Sequence, residues 1–274
     1  MRAMHVFLFC SILLCLQTSP SRGDELRPDY PVLQERPLSL PALVGESLVY
    51  DISFLWFERL AEGRLFFVAG ERPGTYQAVL EARTLGVAAW LTGDRVQRYV
   101  SLMEVGPDGR LRSLSFESHI IKGQGSERSD TTRLYTFDHD KHQVRYQRAR
   151  KEKFYKEELL PMSRQAPPND ILTAFYNFRA GFFGPVKPGS RYTIPTFSRK
   201  GNEDIRVEIL TDEKRPADPF FPRGGLLGRV ILDEEILDTS GGTVYVWFDD
   251  LGRPQRGIVE NVIGLGNVRG KARE

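Results

Sequence analysis

Hydrophobic and polar residues alternate along most of this chain with a period of two. Leu48, Tyr50, Ile52, Phe54 and Trp56 share one parity, with Asp51 and Ser53 between them. Such a period places one set of side chains on one face of a strand. Residues 64–68 read as a second short strand, and within 75–83 Tyr76, Ala78, Leu80 and Ala82 oppose Gln77, Glu81 and Arg83. Turn signals separate further strand-like runs. Gly106-Pro107-Asp108-Gly109 divides 96–104 from 110–121, and Asp138-His139-Asp140-Lys141 divides 131–137 from 144–150. Lys200-Gly201-Asn202 divides 191–197 from 205–210, and Asp249 to Arg253 follows 243–248 before a last strand pair around 258–263. Short strands punctuated this regularly predict a mainly β, antiparallel meander.

One segment has a different period. After Pro168-Asn169-Asp170, apolar residues recur at Ile171, Leu172, Phe175 and Phe178, the spacing of a short amphipathic helix. Asn169 or Asp170 caps its start and Gly181 can end it in a left-handed conformation. A helix of this kind would plug or cover one side of the sheet. The charged stretch 148–164 before it predicts a divide, near 150–168, between two lobes of one β domain spanning 46–274.

The start of the chain reads as an address. Arg2 precedes the apolar run 6–16, and Ser21-Arg22-Gly23 places small residues at −3 and −1 of a cut before Asp24. The run is about half the ~20 residues that span a bilayer. A leader of 1–23, removed on export across a bacterial inner membrane, is therefore expected, and residues 24–45, with four prolines, read as an extended lead-in. Phe9 and Leu14 precede Cys10 and Cys15, where lipidation wants a small residue, and both cysteines fall in the leader. The expected mature chain has no cysteine, which excludes disulfides and a thiol nucleophile. Of 38 basic and 36 acidic side chains, the leader removes Arg2 and Arg22, leaving 36 of each. That balance gives no overall field favouring nucleic acid or anionic lipid.

Candidate chemistry is sparse. His139 and His142 flank Asp140 at a hairpin tip, but a tip has no frame to fix zinc geometry. His119 stands alone on a strand. No Gly-x-Ser-x-Gly elbow occurs, and Gly264 to Gly270 has three residues between its second and third glycines and no helix after it. The acid pairs Asp249-Asp250 and Glu234-Glu235 alternate between faces and form no dyad. Residues 141–156 hold seven Lys or Arg against Glu152 alone, which suits a solvated strand edge or, as the alternative, a contact with lipopolysaccharide or phospholipid head groups. No catalytic residue, metal or cofactor is expected. The aromatics stand out. Segments 55–57 and 65–68 are apolar on both faces, so core, ligand or partner must cover both. Trp56, Phe67, Trp90, Phe175, Phe178 and Trp247 are the candidates to line an apolar ligand site.

Asp170-Ile171-Leu172-Thr173-Ala174-Phe175-Tyr176-Asn177-Phe178-Arg179, the turn Lys187-Pro188-Gly189, and the C-terminal Val246-Trp247-Phe248-Asp249-Asp250 with Arg253-Pro254 carry a resemblance. Over about 45–270 the chain resembles the domain-of-unknown-function 3108 family of exported bacterial proteins. The resemblance implies a curved sheet, an open roll or half-barrel, in the periplasm, and no known activity. Its motif residues Asp170, Tyr176, Arg179 and Asp250 are expected to be structural, with Arg179 pairing to Asp249 or Asp250. A looser likeness in shape to lipoprotein-carrier half-barrels that hold acyl chains is fold analogy. The helix's apolar side and the doubly apolar strands around Trp56 and Phe67 add the expectation that the helix is a movable lid over a lipid-like ligand. The expected function is a non-enzymatic periplasmic binding or envelope-assembly factor. The alternative is an interaction protein docking on another envelope protein, and an enzyme of unknown class comes third.

Overall fold

The computed structural model describes residues 38–54, 57–86, 89, 94–232, 242–262 and 266–273. The leader, Trp56, Trp90, Glu234-Glu235 and Gly264 lie outside the described residues. A helical turn, α1 (Leu40–Leu43), comes first and buries Leu40 and Leu43. The prolines predicted an extended lead-in here; Pro41 sits in the first turn, where its missing amide costs nothing. Eight strands follow: β1 (Ser47–Phe54), β2 (Phe57–Ala69), β3 (Thr75–Thr84), β4 (Val96–Val105), β5 (Leu111–Lys122), β6 (Ser129–Asp138), β7 (Gln143–Arg150) and β8 (Lys153–Pro161). Helix α2 (Ile171–Arg179) precedes β9 (Arg191–Ser198), β10 (Gly201–Ile209), β11 (Leu226–Ile231), β12 (Thr243–Phe248), β13 (Pro254–Val262) and β14 (Gly266–Ala272).

Among the described residues, fourteen strands form one antiparallel sheet in the order β8-β7-β6-β5-β4-β3-β2-β1-β14-β13-β12-β11-β10-β9. Every chain neighbour pairs except β8 and β9, and the pairing of β1 with β14 joins the first eight strands to the last six. The register keeps one face continuous: Leu65 lies opposite Leu80, Leu80 opposite Tyr99, Tyr99 opposite Ser118, and Ser118 opposite Arg133.

The sheet curls on itself. Phe197 of edge strand β9 meets Tyr135 and Phe137 of β6 at ring-centroid distances of 6.5 and 6.0 Å. Those strands are eleven places apart in the sheet, so only a roll can bring them together. Asn169, just before α2, runs beside β9 and exchanges backbone bonds with it, accepting from Phe197 at 2.9 Å and donating to Pro195 at 3.2 Å. Strands β8 and β9 do not pair as neighbours, so the roll stays open.

Helix α2 lies inside this roll. One side packs with Leu65, Phe67, Ala78 and Met103 of the first strands, through Leu172 and Tyr176. The other packs with Ile194, Ile205, Val207 and Phe248 of the last strands, through Ala174 and Phe178. Seven of its nine residues are buried. Among the described residues no helix is long and apolar enough to cross a membrane.

Candidate functional site

The site is built around α2, and its polar residues hold the helix in place. Asp170 is the N-cap and is 1% exposed. One carboxylate oxygen accepts from the amides of Leu172 and Thr173 at 2.9 and 3.0 Å, satisfying two of the helix's orphan donors. The other accepts from Ser101 of β4, Ser113 of β5 and Thr173 at 2.6–2.7 Å. In the last turn, Asn177 clamps the backbone of Leu111, accepting from its amide at 2.9 Å and donating to its carbonyl at 2.8 Å.

Arg179 secures the last turn. Its side chain is 1% exposed and forms a two-pronged pair with Glu46, with Nη2 at 2.8 Å from Oε1 and Nη1 on Oε2. Its Nε donates to the carbonyl of Gly252 at 3.0 Å. The expected pairing with Asp249 or Asp250 is thus corrected. The acidic turn meets Arg179 through its backbone, while the Asp249 carboxylate is taken up by Arg253, Gln255 and the turn's own amides. Asp250 is exposed in that turn. Tyr176 and Tyr50 lie beside this ion pair, and burial pushes both phenols above the ordinary tyrosine range.

Two helix residues are only half-buried, Ile171 and Phe175, one turn apart. They form a ridge flanked by cavities. On one side a cavity of about 80 Å³ lies over β9–β12, lined by carbon alone from residues including Ala174, Phe178, Ile194, Val207, Val230 and Val246. On the other side one of about 60 Å³ opens between β4–β6 and the end of β9. Ile171 lines both.

The structure disperses the sequence's candidate residues. Phe175 and Phe178 line the carbon-walled cavity. Phe67, wholly buried, packs under the helix against Tyr176 at a ring-centroid distance of 4.2 Å and belongs to the core. Trp247 does not join them, because it faces the other side of the sheet. There its Nε1 donates to Gly224 at 3.0 Å and its ring packs over Gly225, at which a Cβ would sit 2.7 Å from the indole. Sequence reasoning missed Glu46, Ser101, Ser113 and Asn177 as partners of the helix. Asn177 was readable as a polar residue on an otherwise apolar helix; the others are far away in sequence.

At the hairpin tip, His139 Nε2 bonds to the carbonyl of Ser113 at 2.7 Å, and His119 pairs with Asp130 at 2.9 Å. No set of three potential metal ligands comes together among the described residues.

A family model described as "Protein of unknown function (DUF3108)" matches residues 49–268. The chain belongs to the DUF3108 family. Within the DUF3108 stretch, Asp170, Tyr176 and Arg179 are the residues that seat the helix, and Gly189 takes φ +85° in the turn after it, where its amide bonds to Ile209 at 2.8 Å. No curated protein matches. Among solved structures, a beta-barrel-like protein of domain of unknown function DUF1849 from Brucella abortus is similar at 10% identity and a TM-score of 0.45. That likeness covers 83% of this chain and 95% of the other.

Proposed function

We propose that this DUF3108 protein is a non-enzymatic binding protein of the bacterial periplasm that takes an apolar group into the roll beside α2. The observation that supports this is the carbon-lined cavity along Ile171 and Phe175, the only α2 residues left part-exposed. Apolar walls reward apolar occupants, at roughly 25 cal/mol per Å² removed from water. About 80 Å³ holds only a few carbon atoms, whereas ligand pockets commonly run to ~300 Å³ or more. A longer chain therefore needs the two ridge side chains to turn aside, while the helix backbone stays where its hydrogen bonds hold it. The compartment rests on the leader read from residues 1–23, and sequencing the mature N-terminus tests it, with Asp24-Glu25-Leu26 expected.

The test of binding is an apolar fluorescent probe, N-phenyl-1-naphthylamine, titrated into wild type and Val230→Phe. Val230 is half-buried on the cavity wall, so a ring there fills the space without disrupting the core. Probe fluorescence is expected with wild type and lost in the variant, with little change in Tm. Background fluorescence with wild type sinks the reading.

A second reading, an interaction protein docking on another envelope protein, is favoured by edge strand β8. It pairs on one side only and leaves Phe154, Tyr155 and Leu159 at 58%, 55% and 62% exposure. Unpaired edges of this kind accept an added strand.

A further inference from the structure

The second cavity carries chemistry that the first lacks. Its lining includes two arginines, half-buried Arg133 from β6 and exposed Arg199 from the end of β9, and no acidic residue. Neither arginine's side chain makes an ion pair or hydrogen bond among the described residues. Other arginines of the sheet are paired: Arg98, Arg112, Arg191 and Arg229 each have a carboxylate within 3.3 Å. Arg148 extends the same charge. It lies opposite Arg133 in the β6–β7 register, and its Nε is shielded from solvent without a hydrogen-bond partner. Two like charges brought to one small cavity repel, and a buried guanidinium nitrogen without an acceptor costs free energy. An anion in the cavity relieves the repulsion between Arg133 and Arg199.

We propose that this cavity receives the anionic head group of an amphiphile, a carboxylate or phosphate, whose apolar chain passes Ile171 into the carbon-lined cavity. The inference rests on the binding reading above and names its ligand class. Arginine suits such a head group because its planar donors match carboxylate and phosphate oxygens in pairs. Ser118 and Ser198 supply hydroxyls on opposite walls of the same cavity. The arrangement orders the ligand: charge at the open seam between β4–β6 and β9, carbon inside. Ile171 sits at the junction because it lines both compartments.

A matched pair of probes separates head from chain. 8-Anilino-1-naphthalenesulfonate and N-phenyl-1-naphthylamine share one skeleton, and only the first is anionic. Wild type is expected to bind the sulfonate at least tenfold more tightly. The double variant Arg133→Gln/Arg199→Gln should lose that tenfold and keep its affinity for the neutral probe. Because neither arginine holds a structural partner, the variant should fold normally. Arg223→Gln, on the exposed loop before β11, controls for non-specific charge and should change nothing. Displacement of the bound sulfonate by dodecanoate or by dodecyl phosphate then tells which head group is preferred. Equal affinity for both probes, no effect of the arginine substitutions, or displacement by neutral dodecanol as good as by either anion overturns the anionic site while leaving the apolar cavity standing. Failure of both probes to bind removes the cavity reading as well.

Discussion

Arg179 illustrates how much one side chain decides. A cation at the end of a helix interacts favourably with the helix dipole, and that much follows from local sequence. Its actual partner, Glu46, lies 133 residues away, and the pair is nearly solvent-free. Removing one member of such a pair strands the other charge, at a cost of ~3–5 kcal/mol. Arg179→Ala is expected to lower unfolding free energy by about that amount in denaturant melts. Arg179→Lys should recover only part, because an ammonium cannot hold both oxygens of Glu46 and the carbonyl of Gly252 in one plane. Melts indistinguishable from wild type would mean that the arginine contributes nothing to the fold. The acidic turn does lie against Arg179, through the carbonyl of Gly252. Sequence cannot say whether a turn presents a carboxylate or a carbonyl.

At the scale of the element, the apolar spacing of Ile171, Leu172, Phe175 and Phe178 predicted a helix with one buried side, free to act as a lid. The helix is found at Ile171–Arg179, but sheet wraps it on both sides, and even Thr173 and Asn177 are buried. A lid must leave; this helix is bonded to β4 and β5 by Asp170 and Asn177, to Glu46 before β1 by Arg179, and to the β12–β13 turn by Arg179. We therefore expect the amides of residues 174–178 to exchange hydrogen only through global unfolding, with the same free energy as the central strands β4 and β5. Exchange through a local opening, at clearly lower free energy, would restore the lid. The movable parts are the side chains of Ile171 and Phe175.

For the molecule as a whole, the charged stretch 148–164 suggested two lobes. The chain does leave the first run of strands there, crossing from β8 to α2 and β9. Yet β1 pairs with β14 over five residues, and α2 contributes to the cores of both runs. Neither run can unfold without exposing the other's pairing edge and the helix's buried faces. Thermal and denaturant unfolding should each show one transition, with circular dichroism and tryptophan fluorescence coinciding. Two separated transitions would mean that the lobes are independent after all.

What the sequence determined by itself was the local grammar. Period-two alternation specified strands, Gly-Pro-Asp-Gly and its kin specified turns, and Asp170 with Gly181 bounded the helix. These depend on neighbours within a few residues, where backbone sterics and side-chain spacing act directly. Only the tertiary structure decided how far the sheet curls, that β14 closes onto β1, and which face each aromatic serves. Trp247 and Phe248 are adjacent in sequence, yet one packs outside the roll and the other against α2. The pairing of Arg179 with Glu46 and the gathering of Arg133 and Arg199 at one cavity depend on that same curl. Strand alternation tells which residues share a face; the register of β1 against β14 and the roll of the sheet tell what that face encloses.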